Sequence, residues 1–161
     1  MKLIKSTFYV VSLLYFSACS SDTESGELVN SRASLPASFG FSEMHLKVIS
    51  SLINKNEGTT SILYGNEKTV VRLREKTDSI TAGEQLTLLT WKQQEDAHWL
   101  GAKIPDQLLS AETVRTDLDN KGQLRVKYEK YQGKELAKVA DTLGNANRKT
   151  FLLAQRASVM P

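Results

Sequence analysis

Gln85 to Gln93 alternates with a period of two. Leu86, Leu88 and Thr90 fall on one face, Leu89 and Trp91 on the other. That is the signature of an extended strand, whose successive side chains point to opposite sides. Similar runs follow at short intervals. Ala97 to Ile104 alternates, with His98, Leu100, Ala102 and Ile104 on one side and Trp99, Gly101 and Lys103 on the other. Pro105-Asp106 closes that run, and Leu108 to Thr116 opens another. Asp117-Leu118-Asp119-Asn120-Lys121-Gly122 is a turn signal. Gln123 to Tyr131 follows, with Leu124, Val126 and Tyr128 facing inward, and Leu136 to Val139 adds a short strand. Strands joined by connections this short pair antiparallel, because a parallel return needs a long crossover.

The flanks read differently. Met44, Val48, Ile49, Leu52 and Ile53 recur at helical spacing behind Ser42, which predicts a helix over 42–54 with His45 as a packing residue near its apolar edge. Thr59 to Tyr64 is rich in β-branched and aromatic residues and predicts a strand. Asn66 is placed to cap a short helix over 67–75, and Asn145 or Asn147 to cap a last one reaching about Val159. The expected class is α+β, an antiparallel meander sheet of about five strands with flanking helices.

The N-terminus reads as an address. Lys2 and Lys5 precede a mostly apolar run from Phe8 to Phe16, followed by Ser17-Ala18. With Ser17-Ala18 the run is about 11 residues, against the ~20 that a spanning helix needs. Phe16-Ser17-Ala18-Cys19 resembles the lipobox of bacterial lipoproteins, with Phe16 in place of the usual leucine. The resemblance implies cleavage after residue 18 and acyl chains on Cys19, and Ser20 after the cysteine implies sorting to the outer membrane. Residues 19–38 are rich in Ser, Asp, Glu and Gly and are expected to form a flexible tether, leaving 39–161 as the domain.

Composition narrows the function. The 21 basic residues less Lys2 and Lys5 leave 19 against 18 acidic ones. With no basic run either, no nucleic-acid partner is expected. A chain with one cysteine, Cys19, holds no internal disulfide, cysteine-based zinc site, C-x-x-C redox pair or C-x-x-C-H haem attachment. Nucleotide loops, G-x-S-x-G, H-E-x-x-H and EF-hand patterns are also missing. The balance favours a binding or accessory role over an enzyme.

Trp91 to Pro105 gathers both tryptophans and His98. If Gln94-Glu95-Asp96 is a three-residue hairpin loop, Trp91 lies across from Trp99 and Leu89 across from Gly101, which leaves room beside the indoles. Asp96 and His98 then share the opposite face, where the carboxylate can set the imidazole tautomer. Three functional readings are open: His98 as axial ligand to a non-covalent haem against Leu100 and Ile104, a general base paired with Asp96, or an indole wall for a flat or sugar-like ligand. The structural reading is a hairpin with tryptophans in the core and a hydrogen-bonded histidine.

Ile62-Leu63-Tyr64-Gly65-Asn66, a short helix, then Ala82-Gly83-Glu84-Gln85-Leu86 heading an apolar strand resembles the core of cytochrome P-460 family proteins. The central hairpin and Gln155-Arg156-Ala157-Ser158-Val159-Met160-Pro161 are similar to a subgroup of bacterial lipoproteins in that family that lack the haem motif. The resemblance covers about 39–161. It implies a mainly antiparallel sheet with flanking helices, in the periplasm. Typical members carry a covalent haem with a lysine cross-link and oxidise hydroxylamine. No cysteine follows Cys19 here, so covalent haem and that chemistry are not carried over, and Lys103 and Lys127 are only candidates for the cross-link. Tyr64, Trp91, Trp99 and Gly101 remain candidates for lining a ligand pocket, with the ligand or protein partner open.

Overall fold

A computed structural model describes residues 30–140 and 144–158. The signal segment, Cys19, the first part of the expected tether and Val159 lie outside the described residues. The class is α+β. Six strands form one antiparallel sheet in chain order: β1 (Lys47–Asn54), β2 (Thr59–Gly65), β3 (Gln85–Glu95), β4 (Lys103–Leu118), β5 (Leu124–Gln132) and β6 (Ala137–Val139). Helix α1 (Glu67–Arg74) joins β2 to β3, and α2 (Asn145–Leu153) follows β6.

The helix expected over 42–54 is instead a single 3-10 turn, Ser42–Met44, followed by β1. Its apparent helical spacing comes from a β-bulge between Val48 and Ser50. In a regular strand, residues three apart face opposite ways; the bulge turns both Ile49 and Leu52 toward the helix side of the sheet. Hairpin pairing with β2 then overrides the local pattern, with Asn54 opposite Thr59. His45 ends the 3-10 turn at φ 48° and is exposed.

The sheet is covered on both faces. On one, Leu63, Leu86, Leu88 and Val114 pack against Val70 and Leu73 of α1 and Leu152 of α2. The Asn66 side chain accepts from the Thr69 N–H and Oγ1–H, as expected of a cap, and donates to the Gly83 carbonyl at 2.8 Å. Gly65 lets α1 and the Ile49 side chain of β1 close over β2, since a Cβ there would stand 3.2 Å from Thr69 Cβ and 2.5 Å from Ile49 Cδ1. Gly144 takes the α2 N-cap position, so Asn145 and Asn147 fall within the helix. Leu124, expected inward, is exposed, while Val126 and Tyr128 pack on the core.

On the other face, Leu89, Trp91, Leu108 and Ala111 are covered by Ala33, Leu35, Phe39 and Phe41. The last part of the stretch expected as tether is therefore packed structure from Asn30 onward. Leu108 N–H donates to the Arg32 carbonyl at 3.0 Å, and Arg32 pairs with Asp106 at 3.0 Å. The segment runs along β4 ahead of Ser110, where pairing with β5 begins.

Candidate functional site

The expected central hairpin has a different register. Glu95 pairs with Lys103, and Trp91 lies opposite Leu108, not Trp99. Residues 97–102 form a loop rather than a strand. Asp96 explains this: its Oδ1 accepts from the backbone N–H of His98 at 2.7 Å and of Trp99 at 3.2 Å, an Asx turn that competes with strand pairing. Gly101, at φ 78°, completes the return. Pro105 does not end a strand. It sits within β4, where its carbonyl accepts from Asn30 Nδ2 on the side that β5 does not reach, so no strand partner needs its missing N–H.

The candidate residues thus divide into two groups. Trp91 is 7% exposed, donates Nε1–H to the Ala33 carbonyl at 2.8 Å, and shares an apolar cluster with Tyr64. Tyr64 stands edge-on to Phe41 at 4.9 Å, and burial raises its phenol above the usual range. Trp99 is 73% exposed and Leu100 fully so, in the loop with His98 and Gly101. No wall of paired indoles forms. His98 shares no strand face with Leu100 and Ile104; it stands in the exposed loop beside Trp99 and Leu100. Among the described residues no three His, Cys, Asp or Glu side chains are grouped to hold a metal ion.

A different site emerges on the helix side of the sheet. One row of the sheet places Leu52, Ser61, Thr90 and Ser110 side by side on β1 to β4. Ser61 Oγ and Thr90 Oγ1 are hydrogen-bonded at 2.8 Å. These three hydroxyl residues line an open cleft of about 830 Å³, bounded by the β1–β2 turn and by Arg148 and Phe151 of α2. The next row carries Glu112 opposite Lys130, and both also line the cleft.

Glu112 anchors the cleft wall. Arg148 grips it with a fork, Nε donating to Oε2 at 2.9 Å and Nη2 to Oε1 at 2.7 Å, while Tyr128 O–H donates to Oε2 at 2.6 Å. Burial alone would raise the Glu112 carboxyl, but the bonds from Arg148 and Tyr128 outweigh it and hold the group below the ordinary range. Burial first, and then the bond to Glu112, push the Tyr128 hydroxyl up, against a smaller opposing effect of Arg148. At neutral pH this carboxylate is a fixed acceptor rather than a proton carrier. Its role is to position Arg148, whose side chain is 41% exposed and lies over the Phe151 ring at 4.8 Å. Lys130 and Lys55 add positive charge to the lining.

Glu129, on the opposite face, is drawn down to about 2, first by Lys138 and, against the effect of burial, by Lys127 and Tyr131. Both glutamates titrate lower folded than unfolded. Their contribution to stability is therefore complete above the unfolded value and is lost as pH falls through the folded one. The melting midpoint should drop between pH 4.5 and about 2, and Glu112→Gln together with Glu129→Gln should flatten that drop. A slope unchanged in the double variant would show that other groups carry it.

The hydroxyl row was half visible in the sequence: Thr90 stands on the Leu86 and Leu88 face by alternation. Its alignment with Ser61 and Ser110 depends on cross-strand register, and Arg148 carried no signal at all. No protein-family model matches the chain, and no curated protein matches it.

Proposed function

We propose that this chain is a non-enzymatic, lipid-anchored lipoprotein of the outer membrane, facing the periplasm, whose domain is cytochrome P-460-like without covalent haem. Its binding site is the cleft over the hydroxyl row. The observation that carries the binding role is the cleft itself, an open space of about 830 Å³ in the size range of small-molecule sites. It combines apolar groups (Leu52, Leu109, Phe151) with Ser61, Thr90 and Ser110 and with the cations Lys130 and Arg148. That lining suits a small ligand with an apolar body and an anionic or acceptor-rich end. The lipobox-like Phe16-Ser17-Ala18-Cys19 supports the anchor. The antiparallel sheet with helices on one face is the architecture that the family resemblance implies.

Anilinonaphthalene sulfonate, an apolar body with one sulfonate, tests the cleft. Its fluorescence should rise on binding to the native chain and fail to rise with Ser110→Phe, which fills the cleft, while the melting temperature is kept. No rise with the native chain, or an equal rise with Ser110→Phe, overturns the assignment. Haemin run in parallel separates the rival: a Soret band lost in His98→Ala would replace this reading with a haem-binding protein.

A further inference from the structure

We propose that the tip of the β3–β4 loop, Trp99-Leu100, lies in the interfacial layer of the membrane that holds Cys19, so that the anchored domain docks with this end of its sheet down. The proposal rests on the lipid-anchor reading above. Leu100 is fully exposed and Trp99 is 73% exposed, although the loop that carries them is held by hydrogen bonds. Asp96 N–H donates to the Ala102 carbonyl at 3.0 Å, Ala102 N–H to the Trp99 carbonyl at 3.0 Å, and the Asp96 carboxylate holds the turn from inside. Lys103 and Glu95 pair across its base. A hydrogen-bonded loop that presents an indole and a leucine to solvent leaves apolar area unburied, and tryptophan is a residue that favours the membrane–water interface.

The exit of the chain selects a bilayer as the occupant. Asn30 Nδ2 donates to the Pro105 carbonyl at 3.1 Å, only two residues into β4 from Lys103. Asn30, the first described residue after Cys19, therefore lies at the same end of the sheet as the loop. Ten residues separate Cys19 from Asn30, a span of at most about 40 Å when fully extended. Acyl chains on Cys19 hold the domain within that distance of the headgroups. The loop then meets the surface at high local concentration, and even weak insertion becomes populated. Among the described residues no helix is long and apolar enough to cross a membrane, so contact of this end would be at the surface.

The test uses the full chain, matured in cells and reconstituted into phosphatidylethanolamine and phosphatidylglycerol vesicles with brominated acyl chains. Trp91 is buried, so Trp99→Phe supplies the baseline of the buried indole. The native chain should show a blue-shifted Trp99 emission quenched by the brominated lipid, and Leu100→Asp should reduce both effects while the protein still floats with the vesicles. Floating, fatty-acid-labelled protein whose Trp99 emission equals that in buffer overturns the loop contact and leaves the anchor standing. Absence of label, with Cys19→Ser indistinguishable from native, overturns the anchor and the proposal with it. A blue shift that needs only higher protein concentration and no lipid overturns the proposal in favour of contact with a second copy.

Discussion

Glu84→Ala is expected to cost about 3–5 kcal/mol of folding stability, because it strands a buried guanidinium. Arg72 and Glu84 side chains are 6% and 3% exposed and meet at 2.6 Å between Nε and Oε2. The carboxylate also accepts from Thr81 N–H at 2.7 Å and Thr81 Oγ1–H at 3.1 Å. Thr116 Oγ1 accepts from Glu84 N–H at 2.8 Å and donates to the Thr81 carbonyl at 2.7 Å. The carboxylate thus joins α1 to the loop into β3, and the backbone of that loop is tied through Thr116 to the far end of β4. Removing it leaves the Arg72 charge, whose Nη2 already lacks a partner, inside the protein. A loss of that size is a large share of the roughly 5–15 kcal/mol that holds a typical domain together. Urea denaturation of Glu84→Ala, Arg72→Met and the pair Arg72→Met with Glu84→Leu separates the contributions. The pair should recover most of the loss, since well-packed apolar groups replace a buried ion pair at little cost. A single-variant loss below about 1 kcal/mol would mean that water reaches the pair and screens it.

The parts of the fold that were legible in the sequence are those decided by neighbours in the chain. Asn66 caps α1 through Thr69, three residues on. Asp119 accepts from the N–H groups of Lys121 and Gln123 and closes the β4–β5 turn within five residues. Alternation showed which residues of β3 share a face. What was not legible is register and long-range cover. The bulge in β1 disguised a strand as a helix, because a bulge shifts the two-residue phase and mimics helical spacing. Asp96 drew the β3–β4 connection into an Asx turn, and bulges on both sides of Trp91 moved its partner to Leu108. The covering of the second face by Ala33 and Leu35 gave no signal, since both stand in a polar stretch. The candidate cleft suffered most: its hydroxyl row needs three strands in register, and Glu112 meets Arg148 from 36 residues away.

Trp91→Ala should cost about 3–5 kcal/mol, the range for removing a large buried aromatic ring, and should loosen the N-terminal segment before the rest of the sheet. The indole fills the second face between Leu89 and Leu108, and its N–H satisfies the Ala33 carbonyl. Ala33 and Leu35 lie on that cluster, so losing the ring removes their apolar contact and, at Ala33, the hydrogen bond as well. Trp91→Phe keeps most of the apolar contact and loses the donor, which should cost less, about 1–3 kcal/mol, most of it from the orphaned carbonyl. Asp106→Ala removes only a partner of Arg32, whose side chain is 64% exposed, and should cost no more than about 1 kcal/mol. Tryptic cleavage after Arg32 reads the local effect while urea denaturation reads the global one. Cleavage should accelerate strongly in Trp91→Ala, modestly in Asp106→Ala, and ahead of global unfolding in both. Equal cleavage rates in native protein and Trp91→Ala would show that the segment is held by something other than the indole, and the second face would then owe its cover to Phe39 and Phe41 through their edge-on contacts with Tyr131 and Tyr64.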